Sequence, residues 1–117
     1  MYEVTVKTGF SAAHQLRYYD GKYENLHGHN WTAIVTVETK ELDKIGLGVD
    51  FVILKKNVAD ILSRLDYKNI NEVPPFDSEN PSAENISRWL FGELATLMNS
   101  DNARLKRVEI KEFDDCG

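Results

Sequence analysis

Side chains alternate along the start of the chain. Tyr2, Val4, Val6, Thr8 and Phe10 stand against Glu3, Thr5, Lys7 and Gly9. A period of two belongs to a strand with one buried face. From His29 to Thr39 the β-branched residues are dense: Thr32, Ile34, Val35, Thr36, Val37 and Thr39. That run reads as a second strand, antiparallel to the first. Between them Ser11 to Leu26 is mostly polar, with Asp20-Gly21 as a turn signal.

The period then changes. Phe51, Leu54, Val58, Ile61, Leu62 and Leu65 fall on one stripe, which predicts a helix over 51–65 with Asp50 as its N-cap. Ile86, Leu90, Leu94 and Leu97 predict a second helix over 82–98. Ser82 is its N-cap, and Glu84 is a first-turn acid favourable to the helix dipole. Pro74-Pro75 lies in the loop between the helices, and Asn99 to Asn102 ends the second one. Leu105, Val108, Ile110 and Phe113 make a third apolar segment with imperfect alternation. The order β-β-α-α-β gives an α+β fold, an antiparallel sheet with two helices packed on one face. Trp31 and Trp89 read as packing residues. A three-stranded sheet has two exposed edges, and Trp31 to Val37 shows little edge protection, so an oligomer that extends the sheet is expected.

At 117 residues the chain suits one domain, 1–117. A net charge of −5 and a pI near 5.1 supply no broad positive field. They speak against nucleic acid and anionic membranes as partners. The single cysteine, Cys116, excludes an intrachain disulfide framework. No apolar run approaches membrane-spanning length, and Met1 to Val4 carries no signal pattern, so the expected location is cytoplasmic.

All three histidines fall between positions 14 and 29. His27 and His29 flank Gly28, and residues two apart on a strand point to the same face. His14 follows the first strand, which can lie beside the second. Three neutral imidazoles suit a catalytic zinc that keeps its fourth position for water or substrate, and other transition metals also accept them. On spacing alone, a metal site and three ordinary histidines near a turn both remain open.

Several segments resemble the 6-pyruvoyltetrahydropterin synthase / 6-carboxytetrahydropterin synthase family. They are Phe10-Ser11-Ala12-Ala13-His14, Glu24-Asn25-Leu26-His27-Gly28-His29-Asn30, Val49-Asp50-Phe51, Leu65-Asp66, Asn71 to Phe76, Asn80 to Asn85 and Val108 to Glu112. The resemblance implies a tunnelling fold, a four-stranded antiparallel sheet with two helices on one face. Three subunits would close a barrel, and two trimers would stack into a homohexamer with active sites between subunits. His14, His27 and His29 match the zinc ligands. Glu112 matches the carboxylate that anchors a pterin substrate, a dihydroneopterin triphosphate. Read alone, Glu112 is equally a solvent-facing strand residue.

Two positions depart from the synthases. Tyr23 stands where they carry a catalytic cysteine, and Asp66-Tyr67 replaces their Asp-His pair. One branch instead uses a glutamate three residues before His-Gly-His, and Glu24 fits that spacing. That branch, a lyase, converts 7,8-dihydroneopterin triphosphate to 6-hydroxymethyl-7,8-dihydropterin for folate synthesis. On this resemblance Glu24 and Asp66 are the catalytic candidates, and Tyr23 and Tyr67 join Glu112 as substrate contacts. A phenol is poorly matched to proton abstraction at neutral pH, so Tyr23 reads as a pocket wall. The bland alternatives are a solvated loop acid for Glu24 and a helix-end residue for Asp66. Arg17, Lys22 and Lys68 are candidates to neutralise the triphosphate. Alternative functions are a 6-pyruvoyl- or 6-carboxytetrahydropterin synthase, of tetrahydrobiopterin or queuosine synthesis, and a silent zinc- and pterin-binding homologue. Family members continue past Glu112 into a short final strand. Here Asp114 to Gly117 stops about where that strand would begin, so the expectation is either that the sequence is truncated or that the fourth strand is missing or formed differently.

Overall fold

The computed structural model describes residues 1–18, 20–114 and 116–117. Its elements are β1 (Tyr2–His14), β2 (His27–Thr39), α1 (Phe51–Leu62), β3 (Lys68–Asn69), a single 3-10 turn (Ile70–Glu72), α2 (Ala83–Met98) and β4 (Ala103–Lys111). The sheet order is β3-β1-β2-β4.

β1 and β2 pair antiparallel without a slip, from Tyr2 opposite Thr39 to His14 opposite His27. Both strands run further toward this end than the polar composition of Ser11 to Leu26 predicts. Side chains there sustain the ladder: Ser11 Oγ donates to Asn30 Oδ1 at 2.7 Å, and the Trp31 indole N–H donates to Ala12 O at 3.1 Å. The inward face carries Val6, Phe10 and Ala12 of β1 and Trp31, Ala33, Val35 and Val37 of β2, all buried. Phe10 and Trp31 stack with ring centroids 5.7 Å apart.

The fourth strand does not follow Glu112. It is β3, two residues between the helices, and it runs parallel to β1 through Ala12–Lys68 and Ala13–Asn69. After Glu112 the chain turns back on itself, with Glu112 N–H donating to Cys116 O at 3.0 Å. β4 pairs antiparallel with β2, and a register shift falls between Thr36 and Val37, opposite Arg107 and Leu105. The extra residue, Lys106, explains the imperfect alternation, since a bulge resets the face that each side chain takes. Phe113 lies outside the strand and is 54% exposed.

Both helices pack on the sheet's inward face and against each other. Asp50 caps α1 by accepting from Val52 N–H at 2.8 Å. Leu54, Val58, Ile61 and Leu62 are buried, whereas Phe51 is exposed in the first turn. α1 stops three residues short of Leu65, because Asp66 and Tyr67 are bonded to Ser11 at the sheet edge, yet Leu65 remains in the core. Ser82 caps α2 through Asn85 N–H, and Ile86, Leu90 and Leu94 are buried while Leu97 is exposed. Trp89 packs edge-on against the buried Phe76.

Three asparagine side chains act as substitute strand neighbours. Each amide accepts from a backbone N–H and donates to the C=O of the same residue. Asn71 does this to Gln15 (2.9 and 2.9 Å), Asn80 to Arg17 (2.8 and 2.7 Å) and Asn102 to Glu41 (2.9 and 3.1 Å). The first two bind the loop before α2 to the chain just beyond β1. Among the described residues no helix is long and apolar enough to cross a membrane.

Candidate metal centre

The ladder brings the three histidines together. His14 lies opposite His27, and His29 lies opposite Ala12 on the same inward face. Ring centroids are 4.8 Å apart for His14 and His27, 5.2 Å for His14 and His29, and 4.7 Å for His27 and His29. One ring nitrogen from each lies within 4.8 Å of the others.

The hydrogen bonds on the outer nitrogens fix the tautomers. His14 Nδ1 lies 2.7 Å from Pro81 O, and His27 Nδ1 lies 2.7 Å from Asn25 O. A carbonyl can only accept, so both Nδ1 atoms carry the proton when the rings are neutral. Their Nε2 lone pairs are then free to bind a cation. His14 Nε2 and His29 Nε2 are buried with no hydrogen-bond partner, and a buried nitrogen left unpaired is costly. Burial holds the His29 imidazole below its usual pKa, and the nearby Glu112 carboxylate opposes that shift only in part. A neutral imidazole is the form that ligates. These features fit a three-imidazole cation site with an open position. Trp31 supports it from the core side, its ring 4.8 Å from His14 and 5.3 Å from His29.

The other candidates sit around this cluster. Glu24 Oε1 is 3.8 Å from His27 Nδ1 and accepts from Leu16 N–H at 3.3 Å. The Glu24 backbone is held by Leu16 and by the Gln15 side chain. Glu112 Oε2 is 3.8 Å from His29 Nε2, and Glu112 lines a cavity of about 370 Å³ with Gly28, His29, Asn30 and Phe113. A second cavity, of about 530 Å³, is bounded by Ser11, Ala13, His29, Asn30, Tyr67 and Lys68. A Cβ on Gly28 would meet only Ala12 O, at 3.9 Å. The glycine is therefore not required for the strands to approach, and it lines both cavities.

Asp66 Oδ1 accepts from Ser11 N–H at 2.9 Å, so this carboxylate already secures the sheet edge. Tyr67 adopts φ 59° and is 86% exposed beside the larger cavity. That left-handed backbone is unusual for a bulky residue and concentrates at functional positions. Tyr23 is 65% exposed. Arg17 does not project as a free cation, because its guanidinium donates to Asn71 O, Phe76 O and Glu79 O. Lys68 lines the larger cavity. The sequence reading missed Pro81 as the partner of His14, and Phe113, whose ring stands edge-on to His29 at 4.7 Å. A main-chain carbonyl leaves no mark in residue type, and the turn that carries Phe113 is set by the tail.

The sheet, the two helices and the histidines define a small α+β protein with a three-histidine cluster at a strand end that could hold a metal ion. The chain belongs to the 6-pyruvoyl tetrahydropterin synthase family, whose sequence profile matches residues 3–117. It is a pterin-processing enzyme of that family, a lyase of the same kind. It is 32% identical over 114 residues to the dihydroneopterin monophosphate aldolase of Pyrococcus furiosus, covering 97% of this chain and 92% of that protein. It is 31% identical over 99 residues to the 6-carboxy-5,6,7,8-tetrahydropterin synthase of a Synechocystis species, covering 80% and 75%. The structure of Caenorhabditis elegans 6-pyruvoyl tetrahydropterin synthase superposes with a TM-score of 0.82 at 27% identity, over 99% of this chain and 93% of that one.

Proposed function

We propose that the protein is a zinc-dependent aldolase-type lyase that cleaves the side chain of a phosphorylated 7,8-dihydroneopterin and releases 6-hydroxymethyl-7,8-dihydropterin, a folate precursor. The observation that carries this reading is the Glu24 carboxylate at the rim of the three-imidazole cluster, 3.8 Å from the outer Nδ1 of His27, with tyrosine at position 23 in place of a thiol. The similarity to an enzyme named as an aldolase supports it.

A zinc ion on His14, His27 and His29 would supply Lewis acidity to the substrate's side-chain hydroxyls. Glu24 takes the proton from the 2′-hydroxyl. The C1′–C2′ bond breaks, C2′ leaves as the aldehyde of a glycolaldehyde phosphate, and the electron pair passes from C1′ into the N5=C6 imine of the ring. Glu24 then returns its proton to C1′, which completes the hydroxymethyl group. Glu112 accepts hydrogen bonds from the amino-pyrimidine edge. Asp66 holds the edge turn through Ser11, and Tyr67 and Tyr23 border the substrate. Lys68, which lines the larger cavity, neutralises the phosphorylated tail. The enzyme works in the cytoplasm as a homohexamer, a dimer of trimers.

The triphosphate is the expected substrate, and the monophosphate named for the Pyrococcus relative is its competitor. Supplying both at equal concentration and identifying the pterin product tests the reading. A hydroxymethyl product from either substrate upholds it, and a carboxy or pyruvoyl product moves the enzyme to the synthase class.

A further inference from the structure

Two of the three imidazoles have their outer nitrogen held in different ways. The His27 partner, Asn25, is two residues away in the chain, so the local turn provides it. The His14 partner, Pro81 O, comes from 67 residues away, just ahead of α2. The orientation of His14 therefore depends on how the segment before α2 is held against the end of β1.

Asn80 holds it. The Asn80 side chain accepts from Arg17 N–H at 2.8 Å and donates to Arg17 O at 2.7 Å. Its own carbonyl accepts from Asn85 Nδ2 at 2.9 Å, inside the first turn of α2. Pro81 is buried, has no N–H, and its ring restricts the backbone, so the direction of its carbonyl is set by its neighbours. Arg17 lies three residues beyond His14. The chain from His14 to Arg17, the Asn80 amide, Pro81 O and the His14 ring thus form one closed loop of bonds.

We propose that Asn80 is a positioning residue for the metal. It aims Pro81 O at His14 Nδ1, and this fixes both the tautomer and the rotation of the ring that presents Nε2 to the ion. The inference rests on the three-histidine reading of the site. Groups that orient a ligating histidine typically change metal affinity by about 10–100-fold when removed.

The molecule contains its own control. Asn102 makes the same two-bond clamp on Glu41, at the opposite end of the sheet from the histidines. Removing either clamp costs stability, but only Asn80 is linked to a ligand. The test measures zinc affinity of the full chain by competition with a chromogenic chelator. It also records the visible absorption of the cobalt(II)-loaded protein and the melting midpoint of the metal-free protein. Asn80→Ala is expected to bind zinc about 10–100-fold more weakly, with an altered cobalt spectrum. Asn102→Ala is expected to melt earlier while keeping wild-type zinc affinity and spectrum. If Asn80→Ala does not fold, Asn80→Asp replaces it, keeping the acceptor for Arg17 N–H and losing the donor to Arg17 O. Wild-type affinity in the Asn80 variant overturns the proposal, as does an equal loss in both variants, since affinity would then merely follow stability. A wild-type protein that takes up no zinc overturns the three-histidine reading itself, and this inference with it.

Discussion

His14 and His27 form the last pair of the β1–β2 ladder, their rings 4.8 Å apart on the inward face of the sheet. The site is thus an extension of the strand register, and it inherits the rigidity of thirteen paired positions on each strand. A one-residue slip of β2 against β1 would send His27 and His29 to the face opposite His14 and break up the cluster.

The first prediction concerns the metal. The wild-type protein should carry one zinc per subunit. His14→Ala, His27→Ala and His29→Ala should each lose most of it on dialysis against a mild chelator, because two imidazoles hold zinc poorly. Full occupancy in any of the three, read by elemental analysis, contradicts the site.

The proton-transfer group is tested by charge removal. Glu24→Gln should lower turnover by about 10²–10⁴-fold, the usual contribution of general acid–base catalysis, with zinc content unchanged. Tyr23→Phe should have a smaller effect, since the hydroxyl of this exposed residue has no part in the proposed proton path. The reverse pattern would transfer the base role to Tyr23.

Much of this arrangement is legible in the residues. The alternation from Tyr2 to Phe10 and the β-branched run after Trp31 define β1 and β2, because a buried face imposes its period on the sequence. The continuation to His14 and His27 is not legible there. Ser11 to His14 lie past the predicted end of the first strand and Gly28 precedes the predicted start of the second, and only the pairing of the two strands makes them strand. The apolar stripe of α1 persists to Leu65 although the helix ends at Leu62, since a turn can bury the same side. β3 is two residues held by Ala12 and Ala13, too short to impose a pattern. The histidine triad is visible as spacing, whereas the carbonyls of Asn25 and Pro81 that orient it are main-chain groups with no sequence signature.

Arg17 and Lys68 should separate cleanly. Arg17 bonds three carbonyls of the 71–79 segment, and hydrogen bonds from a charged group are worth about 1.5–3 kcal/mol. Its guanidinium is partly open to solvent, so Arg17→Ala should cost about 2 kcal/mol, near the low end of that range, in denaturant unfolding. Lys68→Ala should instead leave stability nearly unchanged and raise KM for the phosphorylated substrate. A rise in KM confined to Arg17→Ala would return the phosphate role to that residue.

Assembly follows from the edges. β3 pairs only with Ala12 and Ala13, and Asp66 and Tyr67 bond Ser11, so among the described residues no strand pairs with β1 from Tyr2 to Phe10 or with the outer side of β4. Pairing between subunits would satisfy both edges. Light scattering at micromolar concentration should give a hexamer, and a monomer would contradict closure of the sheet between subunits.

The central claim, carbon–carbon cleavage with Glu24 beside a three-histidine zinc, is tested most directly by product identification. Zinc-loaded protein is incubated with 7,8-dihydroneopterin triphosphate, and the pterin is identified by chromatography and mass spectrometry. The predicted result is 6-hydroxymethyl-7,8-dihydropterin, formed together with glycolaldehyde triphosphate and slowed about 10²–10⁴-fold by Glu24→Gln. A 6-pyruvoyl or 6-carboxy product, or no loss of either the triphosphate or the monophosphate, would contradict it.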